Sequence, residues 1–274
     1  MTAQSIGDPG YVSSPTVSGS TVSESTAPEN STSGSEQRRL SDLLAARGTV
    51  AGPFVMDEEA LKGLLDEDPV LYTAYRDQAV RPLLDADGPF FWRADLVRYS
   101  GGVLPDHEPV RSVGHWNPTT QVEVFQVLDG QVLLLIGDAT APATVSLAVY
   151  GPGDMAVAPP GWFHLTGSPW GPAVVYNIYT DRRGSGGTDV QGKYHSRQPM
   201  PYLITMDGAH PALTEVPGVP VGPRPDTPAG PLRPSALPLP DDLRRLMDEG
   251  SDEDLLALRD TIESVCADGW PRTR

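Results

Sequence analysis

His115, Asn117, Glu123 and His164 lie within one 50-residue stretch and have side chains of the types that bind cations or move protons. On a β-strand, residues two apart share a face. His115 and Asn117 therefore point one way, and Gln121, Glu123 and Phe125 form a second such set. Glu123 sits among Val122, Val124, Val127 and Leu128. A carboxylate that turns inward from such a strand needs a partner. That partner is a metal ion, an arginine or a buried water. His164 alone, after Pro159-Pro160-Gly161, would also suit a solvated loop.

The elements that must position these residues are short and extended. From Phe90 onward, runs of β type are expected at 90–99, 109–113, 121–128, 131–137, 144–150, 155–158, 163–167 and 173–180. Asp129-Gly130, Gly151-Pro152-Gly153 and Pro159-Pro160-Gly161 punctuate them. Many closely spaced strands without helices between them predict an all-β barrel or jelly roll. Ahead of it, Asp57 can cap a short helix with Glu58 and Glu59 in its first turn. Pro69 is expected to open a second helical stretch through Tyr72, Tyr75 and Gln78.

The two blocks resemble the paired motifs of the cupins. Gly153, Pro159, Gly161 and His164 fit the spacing of the second motif throughout. His115, Glu123 and Gly130 fit the first, with Asn117 where a histidine usually stands. The resemblance implies a jelly-roll barrel with the site inside its mouth. It narrows to the cupin-type glucose-6-phosphate isomerases through Arg38-Arg39-Leu40-Ser41-Asp42-Leu43, the run from Asp66 to Tyr75, Glu123-Val124-Phe125, and Pro159 to His164. It covers roughly 38–205. It implies a divalent metal, Fe2+ or Mn2+ first and Zn2+ or Ni2+ as further fits, held by His115, Glu123 and His164. Asn117 at the fourth position would be a weaker neutral donor, or else would orient Glu123 or a bound water, and Glu123 would also serve as the catalytic proton relay. Tyr72, Ser112 and Gly114 match residues that bind the substrate phosphate. A homodimer is expected from the same source.

The sequence departs from that family at Asn117 and after the last core strand. A His-Asp-Tyr segment that closes over the sugar has become Tyr179-Thr180-Asp181-Arg182-Arg183-Gly184. Phe125 stands where a tyrosine is usual. Arg182 and Arg183 are then the candidates for holding an anionic substrate. Three functions stay open: an aldose–ketose isomerase, a tailoring enzyme using the same metal triad on a non-sugar metabolite, and a binding or regulatory cupin without activity.

The rest of the 274 residues frame this region. Residues 1–37 form the expected disordered tail; 1–36 contain 15 Ser or Thr and no Lys or Arg. The barrel with its helical lead-in is expected over 38–205. Residues 206–240 are read as a linker, since 211–240 contain ten prolines. A helical segment follows over 241–268, with Ser251 capping its second helix. Leu255, Leu258, Ile262 and Val265 make an apolar stripe that should dock on the barrel, a second subunit or a partner. Lys and Arg number 20 against 36 Asp and Glu, a net charge of −16, more than half of it in the tails. This argues against nucleic acid as a partner and leaves a small molecule. Lys62 and Lys193 are the lysines, so no Lys-rich membrane patch is expected. One cysteine, Cys266, excludes a disulfide framework and a Cys-based zinc site. No apolar run reaches membrane-spanning length and the start lacks a basic and apolar leader, so the cytoplasm is the expected compartment.

Overall fold

The computed structural model describes residues 34–45, 57–138, 144–182, 200–216 and 237–267. Twelve strands and four helices lie in these residues. Two antiparallel sheets face each other. The larger has six strands: β1 (Ser35–Arg39), β2 (Val70–Asp85), β3 (Gly88–Tyr99), β10 (Ala173–Asp181), β5 (Glu123–Asp129) and β8 (Met155–Ala158), in that spatial order. The smaller has four: β4 (His115–Trp116), β9 (Phe163–Gly167), β6 (Val132–Asp138) and β7 (Thr144–Tyr150). A separate hairpin pairs β11 (Tyr202–Asp207) with β12 (His210–Glu215). The expected all-β barrel is the observed fold.

Alternation along the strands sorts side chains into layers. Leu134, Ile136, Val127, Val175 and Phe125 are buried in the main core. On the other side of the small sheet, Trp116, Leu133, Leu135, Phe163 and Leu165 form a second cluster with Met200, Tyr202, Ile204 and Met206. The β11–β12 hairpin thus supplies one cover. The helices α3 (Leu243–Glu249) and α4 (Asp252–Ala267) supply another. Leu243, Met247, Leu255, Leu258 and Ile262 are buried in the main core cluster. Gln126 fastens the entry to α3, donating to the Asp241 carbonyl at 3.1 Å and accepting from Leu243 N–H at 2.9 Å. Arg81 closes the turn between the helices through the carbonyls of Met247 and Gly250 and the carboxylate of Asp252. Ser251 Oγ caps α4 by accepting from Asp254 N–H at 3.1 Å. Ahead of the barrel, α1 (Leu40–Ala45) buries Leu40 and Leu43, and α2 (Glu58–Leu65) is capped by Asp57, which accepts from Ala60 N–H.

Four expectations are corrected. The stretch from Pro69 is strand β2, not a helix: Tyr72, Thr73 and Tyr75 favour a pleated surface, and the segment is paired by β1 on one edge and β3 on the other. Order begins before Arg38, because Ser35–Arg39 extend the sheet as β1; residues 1–33 lie outside the described residues. Residues 109–113 form isolated bridges at Pro109 and Arg111 instead of a ladder. The linker expected over 206–240 starts too early, since 206–215 belong to the β11–β12 hairpin. Pro211 fits there because a two-stranded sheet has only edges, where a missing N–H is tolerated. Residues 217–236 lie outside the described residues. No described helix is long and apolar enough to cross a membrane.

Candidate metal centre

The two motif blocks are stitched together by backbone. His115 and His164 pair directly across β4 and β9. Asn117 N–H donates to the Trp162 carbonyl at 2.8 Å, and Gly161 N–H to the Pro118 carbonyl at 3.1 Å. Gly114 sets up this approach. Its φ is +78°, and a Cβ there would lie 2.6 Å from the Phe163 ring and 3.1 Å from the His164 carbonyl. Trp116 and Phe163 leave on the opposite face and meet edge-on at 5.4 Å, so the two histidines turn the other way.

Glu123 opens β5 opposite Ala158 and Tyr179. It is buried, at 3% exposure, and so is His164, at 5%. His164 Nε2 lies 3.1 Å from His115 Nε2, 3.1 Å from Glu123 Oε2 and 3.2 Å from Asn117 Oδ1. His115 Nε2 lies 4.0 Å from Glu123 Oε2. The ligand atoms of His115, Glu123 and His164 all fall within 4.8 Å of one another, the one such cluster among the described residues. Neighbouring donors on an ion held at ~2.0–2.2 Å stand roughly 3–3.5 Å apart, so the spacing suits a divalent cation. The donor set of two imidazoles, a carboxylate and an amide oxygen suits it as well.

Two amides hold the carboxylate. Gln121 Nε2 donates to Glu123 Oε2 at 3.1 Å, and Asn177 Nδ2 to Glu123 Oε1 at 2.8 Å. The Phe125 ring lies 5.0 Å from that of His164 and closes the apolar side. Neither Gln121 nor Asn177 was a sequence candidate. Gln121 carried the signal of lying two residues from Glu123. Asn177 carried another, being the polar interruption of Val174-Val175-Tyr176 and Ile178 on β10.

The expected phosphate-binding residues gather two strand positions further along β9. Ser112 N–H donates to the Thr166 carbonyl at 2.8 Å, and Thr166 N–H donates to Ser112 Oγ at 3.1 Å. The Tyr99 hydroxyl joins the hydroxyls of Thr166 and Ser112, while burial pushes its pKa up to about 12. The Tyr72 ring lies tilted beside that of Tyr99, with centroids 5.4 Å apart. Thr166 is two residues from His164, ~7 Å along a strand. Ser112 thus bonds the strand that carries His164, Gly114 precedes His115, and Tyr72 packs beside Tyr99. Tyr99 and Thr166 are additions that no local spacing would have revealed.

Arg182 requires a correction. Both of its Nη atoms bond Asp85, at 3.1 and 2.6 Å, and its guanidinium lies over Phe90. The same Asp85 carboxylate receives Arg259 from α4. Arg182 is therefore committed to fastening α4 rather than free to receive an anion. Arg183 lies outside the described residues.

Two facing antiparallel sheets with a His, His, Glu cluster turned inward define a cupin barrel with a candidate metal centre. No family model matches the chain. Among curated proteins, it is 31% identical over 163 residues to the glucose-6-phosphate isomerase of Thermococcus gammatolerans, covering 58% of this chain and 77% of that protein. The corresponding protein of Thermococcus kodakarensis is 30% identical over 129 residues, with 47% and 60% covered. The chain belongs to the cupin-type glucose-6-phosphate isomerase family. Solved structures include a mutant of Bacillus subtilis oxalate decarboxylase (15% identity, TM-score 0.30, covering 44% of this chain and 32% of that one). KdgF from Halomonas sp. is also similar (15% identity, TM-score 0.29, covering 42% and 82%).

Proposed function

We propose that the protein is a metal-dependent isomerase that interconverts an aldose and a ketose phosphate of the glucose 6-phosphate type. His115, His164, Glu123 and Asn117 would hold a divalent ion, Mn2+ or Fe2+ before Zn2+ or Ni2+. When bound, such an ion polarises adjacent carbonyl and hydroxyl oxygens and acidifies the proton on the hydroxyl-bearing carbon next to the carbonyl. Glu123 is the group that carries this proton between C1 and C2, while the hydroxyl proton passes from one substrate oxygen to the other. Asn177 and Gln121 keep its two oxygens aimed while it does so, each from within 3.1 Å. The hydroxyls of Tyr72, Tyr99, Ser112 and Thr166 receive the phosphate end, about 7 Å along β9 from the ion. Phe125 keeps water from the histidine side. The observation that carries the reading is the convergence of three buried or half-buried donor side chains within 4.8 Å, in a chain of this family.

The test is a coupled assay of fructose 6-phosphate conversion by protein loaded with Mn2+ or Fe2+. Turnover that chelation removes and metal restores is expected. Turnover no higher than the protein-free background rejects sugar-phosphate isomerisation.

A second reading keeps the metal and changes the reaction. Arg182 is tied to Asp85, and Phe125 covers His164, which together leave a less polar pocket. An iron site of two histidines and a carboxylate then suits oxygen chemistry on a non-sugar metabolite. Oxygen consumption by the Fe2+-loaded protein that depends on such a metabolite, with no isomerase turnover, would favour it.

A further inference from the structure

Asn117 can face the centre with its oxygen or with its NH2, and only the oxygen can bind a cation. The hydrogen bonds decide between the two. The carboxylate of Glu123 can only accept, so the Gln121 atom 3.1 Å from it is the NH2. That same NH2 lies 3.1 Å from the Asn117 side chain, and there it needs an acceptor, which is Oδ1. The other end of the Asn117 amide approaches the carbonyl of Ala158 at 3.4 Å, which calls for a donor, Nδ2. Both ends of Asn117 are therefore assigned by groups whose own roles are fixed. Its Oδ1 is turned to His164 Nε2 at 3.2 Å. The arrangement leaves Gln121 Oε1 buried without a partner among the described residues, and Gln121 is 2% exposed. An unpaired buried carbonyl is costly. Turning the Gln121 amide over would put that carbonyl against both Glu123 and Asn117 Oδ1, which is worse.

We propose that Gln121 is a positioning residue that sets the donor type of Asn117, so that the centre presents two nitrogens and two oxygens to the metal. This rests on the metal reading above and goes beyond it by naming what holds the unusual fourth donor. An amide oxygen in place of a third imidazole is the harder donor and tilts the centre towards Mn2+. Asn117 can act as a ligand here because Gln121 removes the competing orientation before the ion arrives.

The experiment measures Mn2+ affinity from the electron paramagnetic resonance signal of free Mn2+, with no activity readout. It uses the unaltered chain, Gln121→Leu, Asn117→Asp and the double variant, with the metal-free thermal midpoint as a control on folding. Gln121→Leu should weaken Mn2+ binding about 10–100-fold, as the loss of an outer partner does. Asp at 117 offers two equivalent oxygens and needs no orienting, so in the Asn117→Asp background the same substitution should cost clearly less than with Asn117, the remaining loss being that of the Gln121–Glu123 bond. An equal loss in both backgrounds would mean that Gln121 acts through Glu123 alone and would overturn the proposal. Unchanged affinity in Gln121→Leu overturns it too, while leaving the metal reading intact. Absence of Mn2+ binding by the unaltered chain overturns both. Gln121→Met replaces Gln121→Leu if the latter does not fold.

Discussion

His115 and His164 face each other across β4 and β9 with their Nε2 atoms 3.1 Å apart. Two imidazole nitrogens this close cannot both carry a proton, and both also look towards the Glu123 carboxylate. A cation shared among them satisfies all three at once, which a hydrogen bond between the rings would not. Replacing His164 by Ala should therefore lower divalent metal affinity by more than the ~100-fold that outer partners cost. Trp116→Phe, on the same strand pair but facing the outer cluster, should leave the metal content unchanged. Metal content after gel filtration in Mn2+ reads both.

Gly114 is the hinge on which this pairing depends. A side chain there would adopt a left-handed φ of +78° and press on the Phe163 ring at 2.6 Å. The backbone strain is of the order of 1–3 kcal/mol and the overpacking adds a similar amount. Gly114→Ala should lower stability by about 2–4 kcal/mol, read as a fall of roughly 5–15 °C in Tm. Gly63→Ala has open space around its Cβ and sits in a helix, so its midpoint should hold or rise.

The sequence patterns did not carry all of this equally. The second motif was legible because a turn of Pro159, Pro160 and Gly161 fixes where His164 enters β9. Strands with clear turn residues at both ends, such as β6 and β7, were legible for the same reason. β2 was not, because a proline at its start and aromatics spaced along it suit a helix as well. Only its neighbours on both edges decide the matter. Arg182 looked free because nothing local shows that Asp85, 97 residues away, will claim it. Gln121 was visible as a face-mate of Glu123, but its bond to Asn117 depends on the turn at Pro118. The hydroxyl cluster of Tyr99 and Thr166 joins strands from different sheets and leaves no local trace.

The Asp85 carboxyl is held well below its usual range, first by the hydrogen bonds of Arg182 and further by Arg182 and Arg259 charge. A carboxyl whose folded pKa is depressed contributes stability in full above its unfolded value of ~3.9 and loses it as pH falls below that. Hydrogen exchange should show protection of α4 falling below about pH 4, ahead of protection in β5 and β10. Asp85→Asn should produce the same pattern at neutral pH, because Arg182 and Arg259 lose their shared anion.

Burial and the nearby charge of Glu263 push the Cys266 thiol up to about 12. An unfolded cysteine titrates near ~8.5, and the thiolate is the reactive form. At pH 8 the folded protein should react with a thiol reagent on the order of 100-fold or more slowly than the same chain in denaturant. The raised pKa makes the contribution of this group to stability fall as pH rises from ~8.5 towards that of the folded thiol. A thiol that reacts equally fast in the folded chain would show that α4 is not seated as described.

If one divalent ion sits among His115, His164, Glu123 and Asn117, anomalous diffraction from crystals grown with Mn2+ should locate it. One strong peak is expected inside the barrel, about 2.0–2.3 Å from both Nε2 atoms, the Glu123 carboxylate and Asn117 Oδ1. A peak elsewhere, or density showing the Asn117 amide nitrogen turned to the histidines with no ion between them, would contradict it.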